Sequence, residues 1–193
     1  MDTKPKPKLK LKKRLSPGKL KAMAHYVIAG SDPARLGSIR LNKILWYVDT
    51  LHYRANGASM SGETYVKRQH GPVPEHVLRA LGKLEEEDAI VIRKRSRFGL
   101  PMTDFIPMTD PDPKALTPEE MALIDEVREY ICTEHTADSI SQHSHDQIWE
   151  AANMGERIPL NASLAAVPGE PTAEMLTWAT SVRSRYEAVK RAT

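Results

Sequence analysis

The sequence predicts a mainly α-helical protein with a small β-hairpin, forming a compact single domain of residues 16–193 behind a basic tail of residues 1–15. Apolar residues recur at three-to-four spacing in several segments, which is typical of amphipathic helices. One segment instead indicates two strands around a turn at Gly99-Leu100-Pro101. A chain of 193 residues is long enough to bury one core.

Two helices are predicted in the first third of the chain. The first covers about 17–30 and begins at Ser16-Pro17, because Ser is a good N-cap and Pro fits the first helical turn. The second covers about 38–55 and ends at Gly57. Their apolar faces are Leu20, Ala24, Val27 and Ile28 in the first, and Leu41, Ile44, Leu45, Val48 and Leu51 in the second.

The middle of the chain predicts an irregular extended segment over Gly62–Gln69, with Tyr65 as its anchor. Pro74 is predicted to open a third helix, because proline is favoured in a first helical turn. That helix turns Val77, Leu78, Leu81 and Leu84 inward. Residues 89–93 and 103–107 then form the hairpin around a turn at 99–101.

The second half of the chain is predicted to be helical. Thr117 and Glu120 match a capping box at the start of a helix. A short helical segment follows near residues 137–154, and a final helix covers about 172–190. The first of these three helices buries Met121, Ile124, Val127 and Ile131, and the last carries a stripe of Met175, Ala179, Val182, Tyr186 and Val189.

Charge is distributed unevenly along the chain. Residues 1–15 carry a net charge of +6, whereas the remainder, with 21 basic and 24 acidic residues, carries −3. A basic tail can contact nucleic acid nonspecifically, but a mildly acidic body is not typical of a nucleic-acid binder. The single cysteine, Cys132, excludes an internal disulfide framework, and no apolar run could span a bilayer. We therefore expect a cytoplasmic protein without membrane association.

No residue pattern in the sequence predicts catalysis, a metal site or a cofactor. The string His143-Ser144-His145-Asp146 lacks the further ligands of a metallo-hydrolase loop. Phosphate-binding loops and nucleophile elbows have no counterpart here. We expect a protein that is not an enzyme.

The order helix, helix, strand, helix and hairpin is also the order of a winged helix-turn-helix. In that alternative, Arg93, Lys94, Arg95 and Arg97 on the hairpin contact the DNA backbone, and the protein is a transcriptional regulator. The third helix, however, ends in the acids Glu85 to Asp88, which the phosphates would repel. A solvated or protein-facing hairpin is therefore favoured.

Three segments together resemble the Panacea (SocA-like) antitoxin domain. They are Leu41 to Asp49, with its Lys-Ile-Leu-Trp-Tyr core; Gly62 through Tyr65 to His70-Gly71-Pro72-Val73-Pro74; and Ile140 to His145 followed by Trp149 and Ile158-Pro159. The chain departs from many members at Lys67-Arg68, where those carry an Ala-Trp pair. Tyr65 is then the candidate aromatic anchor.

The resemblance implies an antitoxin that neutralises a cognate toxin of a bacterial or phage toxin–antitoxin system by direct contact. The toxin is expected to be encoded by an adjacent gene. A rigid, proline-braced turn beside aromatic residues is a suitable docking surface. Trp46, at the edge of the apolar stripe, is expected to be half-buried as an interface anchor. The candidate partner-binding residues are Trp46, Tyr47, Tyr65, His70, Gly71, Pro72, Val73 and Pro74.

Overall fold

The computed structural model describes residues 17–97 and 99–165, together with Thr177 and Thr180. The basic tail of residues 1–15 lies outside the described residues, as does the predicted final helix apart from those two threonines, both helical. The helices are α1 (Pro17–Ala29), α2 (Pro33–Asn56), α3 (Val77–Glu86), α4 (Pro118–Glu134), α5 (Ala137–His143), α6 (Gln147–Ala151) and α7 (Ala162–Ala165). This part of the chain is mainly helical, as predicted.

Local signals in the sequence set several helix boundaries. α2 has a non-helical residue at Gly37, so its continuous part follows that glycine and matches the predicted helix from 38. Gly57 ends α2 in the left-handed conformation with φ 72°, which a glycine adopts without a Cβ penalty. The predicted capping box of α4 is confirmed, because Thr117 accepts from the Glu120 N–H and the Glu120 carboxylate accepts from the Thr117 N–H.

Two small antiparallel sheets complete the described fold. The predicted hairpin is confirmed as β3 (Ile90–Arg97) and β4 (Leu100–Pro107), but Leu100 and Pro101, predicted in the turn, are paired in β4. The second sheet has the order β2-β1-β5 and comprises β1 (Tyr65–Arg68), β2 (Gly71–Pro74) and β5 (Arg157–Ile158). The segment predicted to be irregular therefore contains the central strand of a sheet, which pairs with β5 from just over 90 residues further along the chain.

The main core lies between α1, α2, α3 and α4, with the hairpin against α2. The apolar faces predicted for α1 and α2 largely enter it: Leu20, Ala24, Val27, Ile28, Leu41, Ile44, Leu45 and Val48 are buried. Leu51 and Met121 are partly buried and pack against this core.

Two predictions for α3 are wrong. The helix begins at Val77 rather than Pro74, because Pro74 is held in β2 opposite Tyr65 and the Glu75 N–H donates to the Thr64 carbonyl at 2.8 Å. Leu78, predicted to point inward, is 81% exposed. The buried face of α3 is instead Val77, Ala80, Leu81 and Leu84.

Candidate partner-binding site

Three segments that are distant in sequence meet at the β2-β1-β5 sheet. The Trp46 ring from α2 contacts the Tyr65 ring from β1 edge-to-face, with centroids 4.8 Å apart. Tyr65 also pairs with Ile158 of β5. Trp46, Tyr65 and Ile158 are all buried and form a second apolar cluster, against which Trp149 of α6 packs. This cluster joins α2, the sheet and the region around α6 into one unit.

A buried polar network fixes Tyr65 to α2. The Tyr65 hydroxyl lies 2.8 Å from a carboxylate oxygen of Asp49 and 2.8 Å from the Leu45 carbonyl. The same carboxylate accepts from the backbone N–H of Ser61 at 2.7 Å and from its hydroxyl. Burial raises the pKa of Asp49, and these hydrogen bonds partly offset that effect by stabilising the carboxylate. Asp49 is thus a buried acid whose hydrogen-bonding needs are met by the segment leading into β1.

The β1–β2 turn is exposed to solvent except at Gly71. Arg68, Gln69 and His70 are exposed, whereas Gly71 is buried. Gly71 has φ 102°, and a Cβ at this position would collide with Lys43 Nζ and Ser144 Oγ. Glycine is therefore required here both by the backbone conformation and by the close approach of α2 and the residue that follows α5.

A stack of side chains lies beside the turn. The His145 and Trp149 rings are parallel with centroids 3.6 Å apart, and Lys67 Nζ lies 3.9 Å from the Trp149 ring centroid. Because His145 already covers one face of the indole at that distance, the ammonium lies on the other. Trp149 Nε1 donates to the Arg68 carbonyl at 3.2 Å, and Lys67 Nζ donates to the Ala152 carbonyl at 2.9 Å. These contacts fix α6 to β1.

The family model described as "Antitoxin SocA-like, Panacea domain" matches residues 41–150, more than half of the chain. The chain belongs to this family. The match begins at the α2 segment carrying Trp46 and ends within α6, next to Trp149. It therefore includes most of the unit described above. Searches of curated proteins and of solved structures gave no match.

The eight predicted partner-binding residues of this Panacea domain do lie together, but most of them are interior. Tyr65, Gly71, Pro72 and Pro74 are buried, and Tyr47 and Val73 are half-buried. His70 is exposed. The prediction that Trp46 is half-buried is wrong, since it is 4% exposed. Tyr65 of β1 and Ile158 of β5 pack with the ring, which helix periodicity alone would leave partly exposed.

Sequence reasoning missed the polar residues of this unit. Lys43 and Asp49 lie on the same helix as the predicted apolar stripe and are buried, and Ser144 and Lys67 are buried as well. The signal that could have found them was the presence of two charged residues within the most apolar stretch of α2. The string around His143 carries part of the family resemblance but does not form a metal site among the described residues. The structure separates its histidines: His143 contacts the His135 ring, and His145 contacts Trp149.

The basic residues of the hairpin differ in how accessible they are to DNA. Arg93 and Lys94 are exposed, whereas Arg95 is half-buried and its Nε lies 2.7 Å from an Asp104 carboxylate oxygen. The side chain of Arg97 lies outside the described residues. At the end of α3, Glu85 to Asp88 are all exposed. Exposed acids beside the hairpin weaken its attraction for phosphate.

Two further features bear on function. Within residues 17–97 and 99–165, no helix is long and apolar enough to cross a membrane. In the same part of the chain, no three His, Cys, Asp or Glu side chains are grouped as metal ligands would be.

Proposed function

We propose that this protein neutralises a cognate toxin by direct protein–protein contact, and that it binds rather than catalyses. The observation that carries the proposal is the Panacea family match, which includes the residues of α2, β1 and β2 that form one packed unit. A rigid unit of this kind can present a surface with little loss of conformational entropy on binding.

We assign the toxin contact to a turn surface, defined as Arg68, Gln69, His70, Trp149 and Met154. The first three are exposed on the β1–β2 turn, and Met154 is 63% exposed. Met154 is held beside β1, because the adjacent Gly155 N–H donates to the Lys67 carbonyl at 2.9 Å. Arginine, methionine and aromatic residues are enriched at protein interfaces. In this proposal Trp46 and Tyr65 support the surface from beneath.

The function is tested by expressing the neighbouring gene alone and together with this one. The neighbour should inhibit growth alone and be tolerated when both are expressed. A pair that is harmless in both arrangements contradicts the proposal.

The surface is tested with substitutions in the same pair of proteins. His70→Ala and Met154→Ala should weaken the complex by on the order of 1–2 kcal/mol each, with stability unchanged within about 0.5 kcal/mol. Met108→Ala is the matched control, because Met108 is a 58% exposed methionine that directly follows β4 of the other sheet. Leu45→Ala should instead cost about 2–5 kcal/mol of stability, and Trp46→Ala about 3–5. Denaturant melts and pull-downs measure both effects. If the three variants His70→Ala, Met154→Ala and Met108→Ala bind the toxin equally well, the contact lies elsewhere on the protein.

A further inference from the structure

Lys43 is a buried amine without a hydrogen-bond partner. It lies on α2, it is 1% exposed, and its Nζ is shielded from solvent. The Nζ atom is next to Ser144 Oγ, because a single Cβ placed at Gly71 would collide with both atoms. The Ser144 hydroxyl donates to the Ser141 carbonyl at 2.7 Å, so its proton is already used. A buried ammonium with no partner is strongly destabilising unless an anion reaches it or its proton is lost.

A second buried nitrogen, on the residue after Ser144, is also unsatisfied. His145 directly follows Ser144, and its Nε2 is buried without a partner. Burial lowers the pKa of His145, and the largest further lowering comes from the charge of Lys43, followed by those of His70 and Lys67. The ion pairs found among the described residues include none of these four groups. Three positively charged groups therefore act on His145 against one acid, Glu150.

We propose that Lys43 Nζ and His145 Nε2 form a binding site for a small oxyanion, such as a carboxylate or sulfate group. The Gly71 backbone and the Ser144 side chain form its walls, with the imidazole proton on Nε2. Both nitrogens are shielded from solvent, so anion binding requires a local movement that opens a path to them. Bound there, it supplies an acceptor to each donor and a counter-charge to the lysine. The site does not depend on the proposed antitoxin function.

The test measures sulfate and acetate binding to the full-length protein by thermal unfolding and by histidine NMR, at constant ionic strength against chloride. Lys43→Met should weaken sulfate binding about tenfold or more, since it removes a hydrogen bond to a charged group. Lys83→Met is the matched control, because Lys83 lies half-buried on α3, outside this cluster. It reports the general stabilisation that sulfate gives any folded protein. His145→Phe retains a ring against Trp149, removes Nε2 and should also weaken binding.

The measurements distinguish sulfate binding at this site from the general stabilisation that sulfate gives any folded protein. A sulfate response that is the same in wild type, Lys43→Met and Lys83→Met overturns the proposal, as does the absence of any perturbation at His145. If the site binds sulfate, competition between sulfate and the toxin identifies the natural anion as a toxin carboxylate. A response without competition identifies a free ion. Failure of the toxin to bind at all would contradict the proposed function and leave the anion measurement intact.

Discussion

At the residue scale, two ionisable groups on α2 show how burial is tolerated in different ways. Asp49 is buried but accepts hydrogen bonds from Ser61 and Tyr65, so its polar atoms are satisfied. Lys43 is buried without such partners, and burial lowers its pKa to about 7. The unfavourable desolvation of the Lys43 ammonium therefore appears as a lowered pKa.

The pKa of Lys43 predicts a pH-dependent stability. The unfolded chain has an ordinary lysine pKa of 10.5 and the folded protein one of about 7, so the unfolded state binds more protons between those values. The free energy of unfolding should therefore rise with pH above about 7, by up to about 1.4 kcal/mol per pH unit from this group. The free-energy cost of burying the charged amine is absent above the pKa of the unfolded state and fully present below the pKa of the folded state.

Denaturant melts at pH 7 and pH 9 on wild type and Lys43→Met check this expectation. The rise in stability should be smaller in Lys43→Met than in wild type, and unchanged in the Lys83→Met control. Burial raises the pKa of Tyr47 and Tyr65, which has the opposite effect on stability at higher pH, so the comparison ends at pH 9. Identical pH dependence in wild type and Lys43→Met would mean that the amine is solvated or paired.

At the scale of elements, α3 illustrates how a neighbouring strand moves a helix boundary. The sequence places Pro74 in a first helical turn, but pairing of β1 with β2 keeps Pro74 extended. The helix then begins at Val77, and its contacts with α1 bury Val77, Ala80, Leu81 and Leu84. Leu78 lies about 100° from Val77 around the helix axis and faces solvent.

The two leucines of α3 should respond differently to truncation. Leu81→Ala should destabilise the fold by about 2–5 kcal/mol, because it leaves a cavity in the main core. Leu78→Ala removes an exposed side chain and should change stability by less than about 0.5 kcal/mol. Urea denaturation of both variants decides the matter. Comparable destabilisation of the two would show that Leu78 is covered, as the sequence pattern predicts.

At the scale of the whole molecule, charge separates a basic N-terminal segment from a mildly acidic remainder. Residues 1–15 hold a net +6 and the rest −3. Near the hairpin, the exposed Arg93 and Lys94 are opposed by the exposed acids at the end of α3. Any nucleic-acid affinity should therefore come mainly from the N-terminal segment and be nonspecific.

Deleting residues 1–15 tests this expectation. The salt dependence of DNA binding should become flatter, by about 0.9 in the logarithmic slope for each phosphate that the tail no longer neutralises. Arg93→Ala with Lys94→Ala in the full chain should change that slope little. The measurement is DNA affinity over a range of salt concentrations. If affinity for a specific DNA sequence survived the deletion and fell with the hairpin substitutions, the winged-helix alternative would be correct.

The sequence by itself determined the features that depend on near neighbours in the chain. The Gly57 cap, the Thr117–Glu120 capping box, the apolar faces of α1 and α2 and the β3–β4 hairpin all follow from spacing and local hydrogen bonding. The motifs around Trp46, His70 and Trp149 also identified the family, because their order along the chain carries that information.

Only the tertiary structure decided which residues are buried in the candidate site. β5 pairs with β1 from the far end of the described chain, and that pairing makes an irregular segment into a central strand. Packing of the sheet against α2 buries Trp46, and Gly71 of β2 and Ser144 lie against Lys43, whereas His70 stays exposed. Local periodicity cannot supply such information, because the burial of each side chain depends on segments about 30 to 100 residues away, brought together only when the chain folds.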